Sequence, residues 1–165
     1  MSELRPSLPS FPPHVPGSGT APDHGFFEAV KAATPRRVDE SSWRRTPAYG
    51  YGFDLYAAGY FWEAHEVWEP VWMACAPNSR ERDLVRSLIQ IANACLKVAM
   101  GRPGAAMKLV ALAREHLPAA PPDQAMGMGL SSVANDLVSF ERALNAAGGQ
   151  VDTALLDRRP RLRPV

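Results

Sequence analysis

Phe61-Trp62-Glu63-Ala64-His65-Glu66-Val67-Trp68-Glu69-Pro70-Val71-Trp72 is the stretch that decides how this chain folds. At ~100° per residue around a helix, Trp68, Val71 and Trp72 share one apolar arc, and His65 and Glu69 flank it. Glu63 and Glu66 turn progressively outward. Ionisable groups are costly inside a core unless they are paired. A helix of this composition must therefore lie at the margin of a core, with one face in water. Trp62 falls on the other side of the helix from Trp68, where it can line a pocket or an interface.

The segments around it also read as helices. Tyr51 to Ala58 forms one, stopped by Gly59. The quoted helix itself runs from Tyr60 to Ala74, and Pro70 is expected to kink it or start a new turn. Pro77-Asn78-Ser79 is a turn and cap. The longest helix spans Ser79 to Met100. Gly101-Arg102-Pro103-Gly104 breaks it, and Pro103 suits the first turn of the next helix, Pro103 to Leu117. Pro118 to Gly129 reads as a solvated loop, with Gly127-Met128-Gly129 as a flexible connector; the alternative is that Met126 and Met128 cover a groove. A last helix spans Ser131 to Ala147 and ends at Gly148-Gly149. No segment shows strand alternation. The fold class is all-α, a compact bundle of about five helices with short connections.

Three regions follow along the chain. Residues 1–44 form a proline-rich arm, expected to be extended and poorly ordered unless it lies across the core. The arm carries one short helix, His24 to Ala33, that Asp23 can cap. Residues 45–148 are the helical domain, against which Trp43 in the preceding connector is expected to tuck. Residues 149–165 read as a basic tail.

Of the 165 residues, 46% are hydrophobic, enough for a substantial core, and the formal net charge is +1. That balance argues against nucleic acid as a partner, and no run of like charge points to a membrane surface. No apolar run approaches the ~20 residues of a membrane span, and no secretory leader is visible at the N-terminus. The expected location is the cytoplasm. Cys75 and Cys95 lack zinc spacing and read as small core residues in a reducing compartment.

On the longest helix, Arg86, Gln90, Asn93 and Lys97 form one continuous polar line, spaced four, three and four, beside Leu84, Leu88, Ile91 and Cys95. Facing them across the helix pair stand Glu63, His65, Glu66 and Glu69. Opposite charges on consecutive helices invite pairing, so Arg86 and Lys97 are expected to meet some of the three glutamates, with Gln90 and Asn93 between.

The run from Phe53 to Trp72, with Glu63-Ala64-His65-Glu66 at its centre, resembles the signature of the DUF309 family. So do Leu88-Ile89-Gln90-Ile91-Ala92 and the later Gly101-Arg102-Pro103-Gly104-Ala105. The resemblance covers about residues 45 to 117. It implies a small, all-helical prokaryotic protein of a family without an established function, described in part as predicted metal-dependent hydrolases. Where family members often carry His near the end of the Leu-Ile-Gln helix, this chain has Lys97. Asp54 stands where Asn is more usual.

Two functional readings follow. In the first, His65 and Glu69, one helical turn apart, ligate a divalent metal such as zinc, manganese or iron. Glu66 is then the general base of a hydrolase, by analogy with HExxH. Here the motif is HExxE, and His14, His24 and His116 have no ligand spacing to it. His116, at a helix end, is read as a dipole partner. In the second, the chain is a non-catalytic ligand-binding or protein-interaction module. Its acidic and basic residues are then a structural ion-pair network, or a pocket in which Glu63, Arg86, Gln90, Asn93 and Lys97 contact a polar small molecule. A protein partner and a homo-oligomer are both compatible with the sequence. No nucleophile elbow, P-loop or dinucleotide fingerprint is present.

Overall fold

A computed structural model of the chain describes residues 5–19, 24–150 and 152–165. They are mostly helical and form an all-α bundle with one tiny hairpin. The α-helices are α1 (Glu28–Ala32), α2 (Pro47–Ala57), α3 (Phe61–Ala74), α4 (Arg80–Ala99), α5 (Pro103–His116) and α6 (Leu130–Ala146). A 3-10 turn, His24–Phe27, leads into α1, and another, Thr153–Arg158, follows α6. Asp23, the expected cap, lies outside the described residues. Consecutive helices pack on one another, α2 on α3, α3 on α4, α4 on α5 and α5 on α6. That is the order short connections favour.

Helix α4 is the central element, with Leu84, Val85, Leu88, Ile91, Ala92, Cys95 and Val98 almost fully buried. The Ser79 hydroxyl caps it, accepting from the Arg82 amide at 3.1 Å. This satisfies one of the orphan amides of the first turn. Helix α2 starts four residues earlier than expected, because Pro47 occupies its first turn, where a missing N–H costs nothing. Two glycines in α2, Gly50 and Gly52, disfavour a helix by ~1 kcal/mol each. At Gly52 the absence of a side chain is what lets the helices meet. A Cβ there would run into the Trp68 indole. Trp68 is fully buried, and its Nε1 donates to the Tyr49 carbonyl at 3.0 Å.

Helix α3 continues through Pro70 to Ala74. Proline removes a single i to i−4 bond, here the one to the Glu66 carbonyl on the outer side, and tertiary packing holds the remaining turn.

The 118–129 loop departs from its expectation. It forms an antiparallel hairpin, β1 (Gln124–Ala125) and β2 (Met128–Gly129), in register Gln124↔Gly129 and Ala125↔Met128. Met126 (φ 43°) and Gly127 (φ 78°) form its turn, the positive-φ pair that two-residue hairpins require. Strands of two residues are too short to show alternation. Met126 and Met128 are buried, not solvated. The Tyr49 hydroxyl donates to the Met126 carbonyl at 2.9 Å, and the Met126 amide donates to Glu40 Oε2 at 2.6 Å. Trp43 tucks in as expected, its ring filling the space a side chain at Gly127 would take.

The C-terminal segment is tied down. The Tyr56 hydroxyl donates to the Pro160 carbonyl at 2.8 Å, the Arg161 amide to Asp136 at 3.0 Å, and the Val165 amide to the Gly127 carbonyl at 2.9 Å. Leu162 is buried. The stretch read as a basic tail is thus a packed strap, because its backbone finds partners that its charge pattern does not advertise. The described part of the N-terminal arm lies across the core.

Two tests follow from this packing. Gly52→Ala forces the Trp68 ring to move, an overpacking cost of ~1–3 kcal/mol, read as a lower urea midpoint with an unchanged m-value. Cys75 and Cys95 are free and buried, and burial pushes each thiol up to about 12. Native protein at pH 8 should leave both unmodified by a thiol reagent for hours, and denatured protein should react at once.

Candidate functional site

The packing of Trp68 sets the rotation of α3 about its axis. With Phe61, Ala64, Val67, Trp68 and Val71 turned inward, the polar residues divide among three directions. Glu63 points toward the N-terminal arm, Glu66 toward α1, and His65, Glu66 and Glu69 share the outer face.

Glu63 is 1% exposed. Its Oε1 accepts the backbone N–H of His14 at 2.6 Å, while Oε2 is buried with no partner among the described residues. Burial pushes this carboxyl above its usual range, the His14 N–H opposes the rise, and the nearby Glu66 charge adds to it. His14 Nδ1 is likewise buried without a partner, and its ring stands edge-on to Trp62 at 5.0 Å between centroids.

Glu66 is partly buried and is met by Lys31 from α1, Nζ to Oε2 3.5 Å. The same ammonium lies 3.8 Å from Glu28 Oε1, so one lysine bridges two carboxylates. The pairing expected with α4 does not form. Among the described residues, no ion pair or hydrogen bond joins Arg86, Gln90, Asn93 or Lys97 to Glu63, Glu66 or Glu69. The reason is rotational. The carboxylates of Glu63 and Glu66 are carried to the arm and α1, two elements that pairing α3 with α4 alone leaves out of account. Arg86 is exposed, and Gln90, Asn93 and Lys97 are half-buried.

On the outer face, His65, Glu66 and Glu69 each bring one donor atom into a group whose members all lie within 4.8 Å of one another. His65 and Glu66 are half-buried and Glu69 is exposed. Among the described residues, neither His65 nor Glu69 has a hydrogen-bond or ion-pair partner. At the C-terminal end of α3, Arg82 covers the Trp72 ring at 4.2 Å and donates to the Cys75 carbonyl at 3.0 Å. His116 ends α5, where a dipole partner was expected.

Lys31 and His14 are the residues that sequence reasoning missed. Each lies more than 30 positions from its partner and carries no spacing signal relative to α3. Only the docking of the arm and α1 brings them there.

A bundle of this kind, whose third helix turns an imidazole and two carboxylates to its surface, defines a small all-α domain with a candidate metal-holding face. The family model described as "Domain of unknown function (DUF309)" matches residues 49–109, so this stretch, most of α2, all of α3 and α4 and the first half of α5, is a DUF309 domain. No curated protein and no solved structure matches the chain significantly. Among the described residues, no helix is long and apolar enough to cross a membrane.

Because Lys31 and Glu66 are both partly exposed, their pair should contribute little, on the order of 0–1 kcal/mol. Lys31→Met should lower stability by no more than that in urea denaturation. A loss several times larger would mean that the pair is a structural element of the α1–α3 junction.

Proposed function

We propose that the outer face of α3 is a divalent-metal site of a hydrolase, in which His65 and Glu69 are ligands and Glu66 is the general base. The observation that carries this reading is the convergence of three donor atoms within 4.8 Å. It is strengthened by the lack of any other polar partner, among the described residues, for His65 and Glu69. The donor set fits the group. One imidazole and one carboxylate as ligands, with a second carboxylate beside them and no thiolate, suit zinc, manganese or iron. The open, partly exposed face leaves room for water and substrate beside the protein ligands.

A divalent ion here would supply Lewis acidity and lower the pKa of a bound water toward ~7. The rest is the work of the chain. His65 Nδ1 or Nε2 and a Glu69 oxygen fix the position, one helical turn apart on a rigid element. Glu66 stands in the same space, where its carboxylate can accept a proton from water. Lys31, 3.5 Å from Glu66 Oε2, orients that carboxylate, and would compete for it when a metal binds. Buried, free Cys75 and Cys95 suit a reducing, cytoplasmic setting.

A second reading is favoured by two contacts, Lys31 to Glu66 and His14 to Glu63. In it the polar residues of α3 are a structural network of a non-catalytic module, pinning α1 and the arm to the domain. The polar line of Arg86, Gln90, Asn93 and Lys97 on α4, which would contact a polar small molecule, belongs to this reading. It gives His65 and Glu69 no role, and for that reason the metal reading is preferred.

Equilibrium dialysis against Zn²⁺ or Mn²⁺ followed by elemental analysis tests the choice. Wild type should retain one ion per chain, His65→Ala should retain none, and Lys31→Met should bind several-fold more tightly. Loaded protein should then turn over chromogenic ester or phosphoester substrates, with turnover lost in Glu66→Gln. Wild-type protein that retains no ion at all sinks the metal reading and leaves the structural one.

A further inference from the structure

The described part of the arm, residues 5–19, is held on the domain by backbone hydrogen bonds and ring contacts, with one exposed ion pair, Arg5 to Asp54 at 3.6 Å. Pro6, Pro9, Pro12 and Pro13 have no N–H, so the segment presents mainly carbonyl acceptors. The domain answers with hydroxyl donors. Tyr51 Oη donates to the Ser7 carbonyl at 3.0 Å. Tyr60 Oη lies 2.7 Å from the Phe11 carbonyl and 3.2 Å from that of Pro9. One hydroxyl has one proton to give, so Phe11 is its main acceptor. Ser7, Pro9 and Phe11 are spaced by two, the period at which an extended chain turns alternate groups to one side.

After Pro12-Pro13, the domain changes from donor to acceptor. Glu63 Oε1 takes the His14 amide at 2.6 Å. Between these polar anchors the Phe11 ring stands edge-on to Phe26, Phe27 and Tyr60, at centroid distances of 5.2, 6.2 and 6.5 Å. The His14 ring stands on Trp62.

Tyr51, Tyr60, Trp62 and Glu63 lie inside the family match at residues 49–109, and the segment they hold lies outside it. They grip backbone groups and two rings, Phe11 and His14, rather than a long series of side chains. Proline-rich segments are recognised in this way on aromatic surfaces, because their extended conformation is preformed and little entropy is lost on docking.

We propose that the face formed by the His24–Phe27 turn, α2 and the start of α3 is a docking groove for an extended proline-rich peptide bearing one aromatic residue. The arm is its intramolecular occupant, and a like segment from outside competes with it. The groove uses none of His65, Glu66 and Glu69, so it stands independently of the metal site. Tethering gives the arm a local concentration near the millimolar range, and an outside peptide therefore binds the intact chain weakly unless the arm is loosened.

The probe is a labelled synthetic peptide with the sequence of residues 5–16, titrated into the full-length chain. Phe11→Ala in the chain removes the ring that anchors the arm. It should tighten peptide binding by about 10-fold or more over wild type, and adding Tyr60→Phe to it should abolish the gain. In wild type, excess peptide should speed hydrogen exchange at the His14 amide, a readout that needs no variant to fold. A peptide with Ala in place of its Phe should do neither. Binding to neither chain with His14 exchange unchanged, or equal binding of the Phe-less peptide, overturns the proposal and makes the arm a fixed part of the fold.

Discussion

The seating of the Trp68 indole over Gly52 is the contact on which the remaining geometry depends. Two α-helices ordinarily pack ~8–10 Å apart, and a glycine at the crossing lets a large ring occupy space that a side chain would fill. The indole N–H then has one acceptor within reach, the Tyr49 carbonyl, so the ring is fixed in orientation as well as position. Phe53 meets it edge-on and Tyr56 at a tilt from α2, with centroids at 5.1 and 6.4 Å. An indole held on both its polar and apolar sides leaves α3 one rotation about its axis.

That rotation distributes the chemistry. The Glu-Ala-His-Glu run places neighbouring side chains ~100° apart, and once the helix is fixed, each polar group is committed to a different partner. Glu63 goes under the arm, where it gains one N–H and leaves one oxygen unpaired. Glu66 goes to Lys31. His65 and Glu69 go to the surface together, and with Glu66 they bring three donors to one point. A rotation of one residue position would bury His65 and expose Trp68, so the site and the core are specified by the same contact.

Much of the fold was legible because it rests on local signals. The apolar periodicity of α4, its Ser79 cap, Pro103 at the start of α5 and the buried roles of Cys75, Cys95, Trp43 and Trp68 all follow from short-range pattern. What was not legible rests on contacts between distant segments. Hairpin formation at Gln124–Gly129 depends on Met126 reaching Tyr49 and Glu40. The strap at the C-terminus depends on Pro160 meeting Tyr56. At the site, the donor residues His65, Glu66 and Glu69 could be read from their spacing. Their partners could not, since charge complementarity with α4 pointed to Arg86 and Lys97 while docking delivered Lys31 and His14.

The central claim is that α3 turns His65, Glu66 and Glu69 to one point in space and that this point takes a divalent ion. Crystals grown with Zn²⁺ and measured at the zinc absorption edge test it directly. The account predicts an anomalous peak in contact with His65 and Glu69 and within reach of Glu66, with Lys31 drawn away. A peak at other residues, or none with the three side chains dispersed and Lys31 still on Glu66, would contradict it.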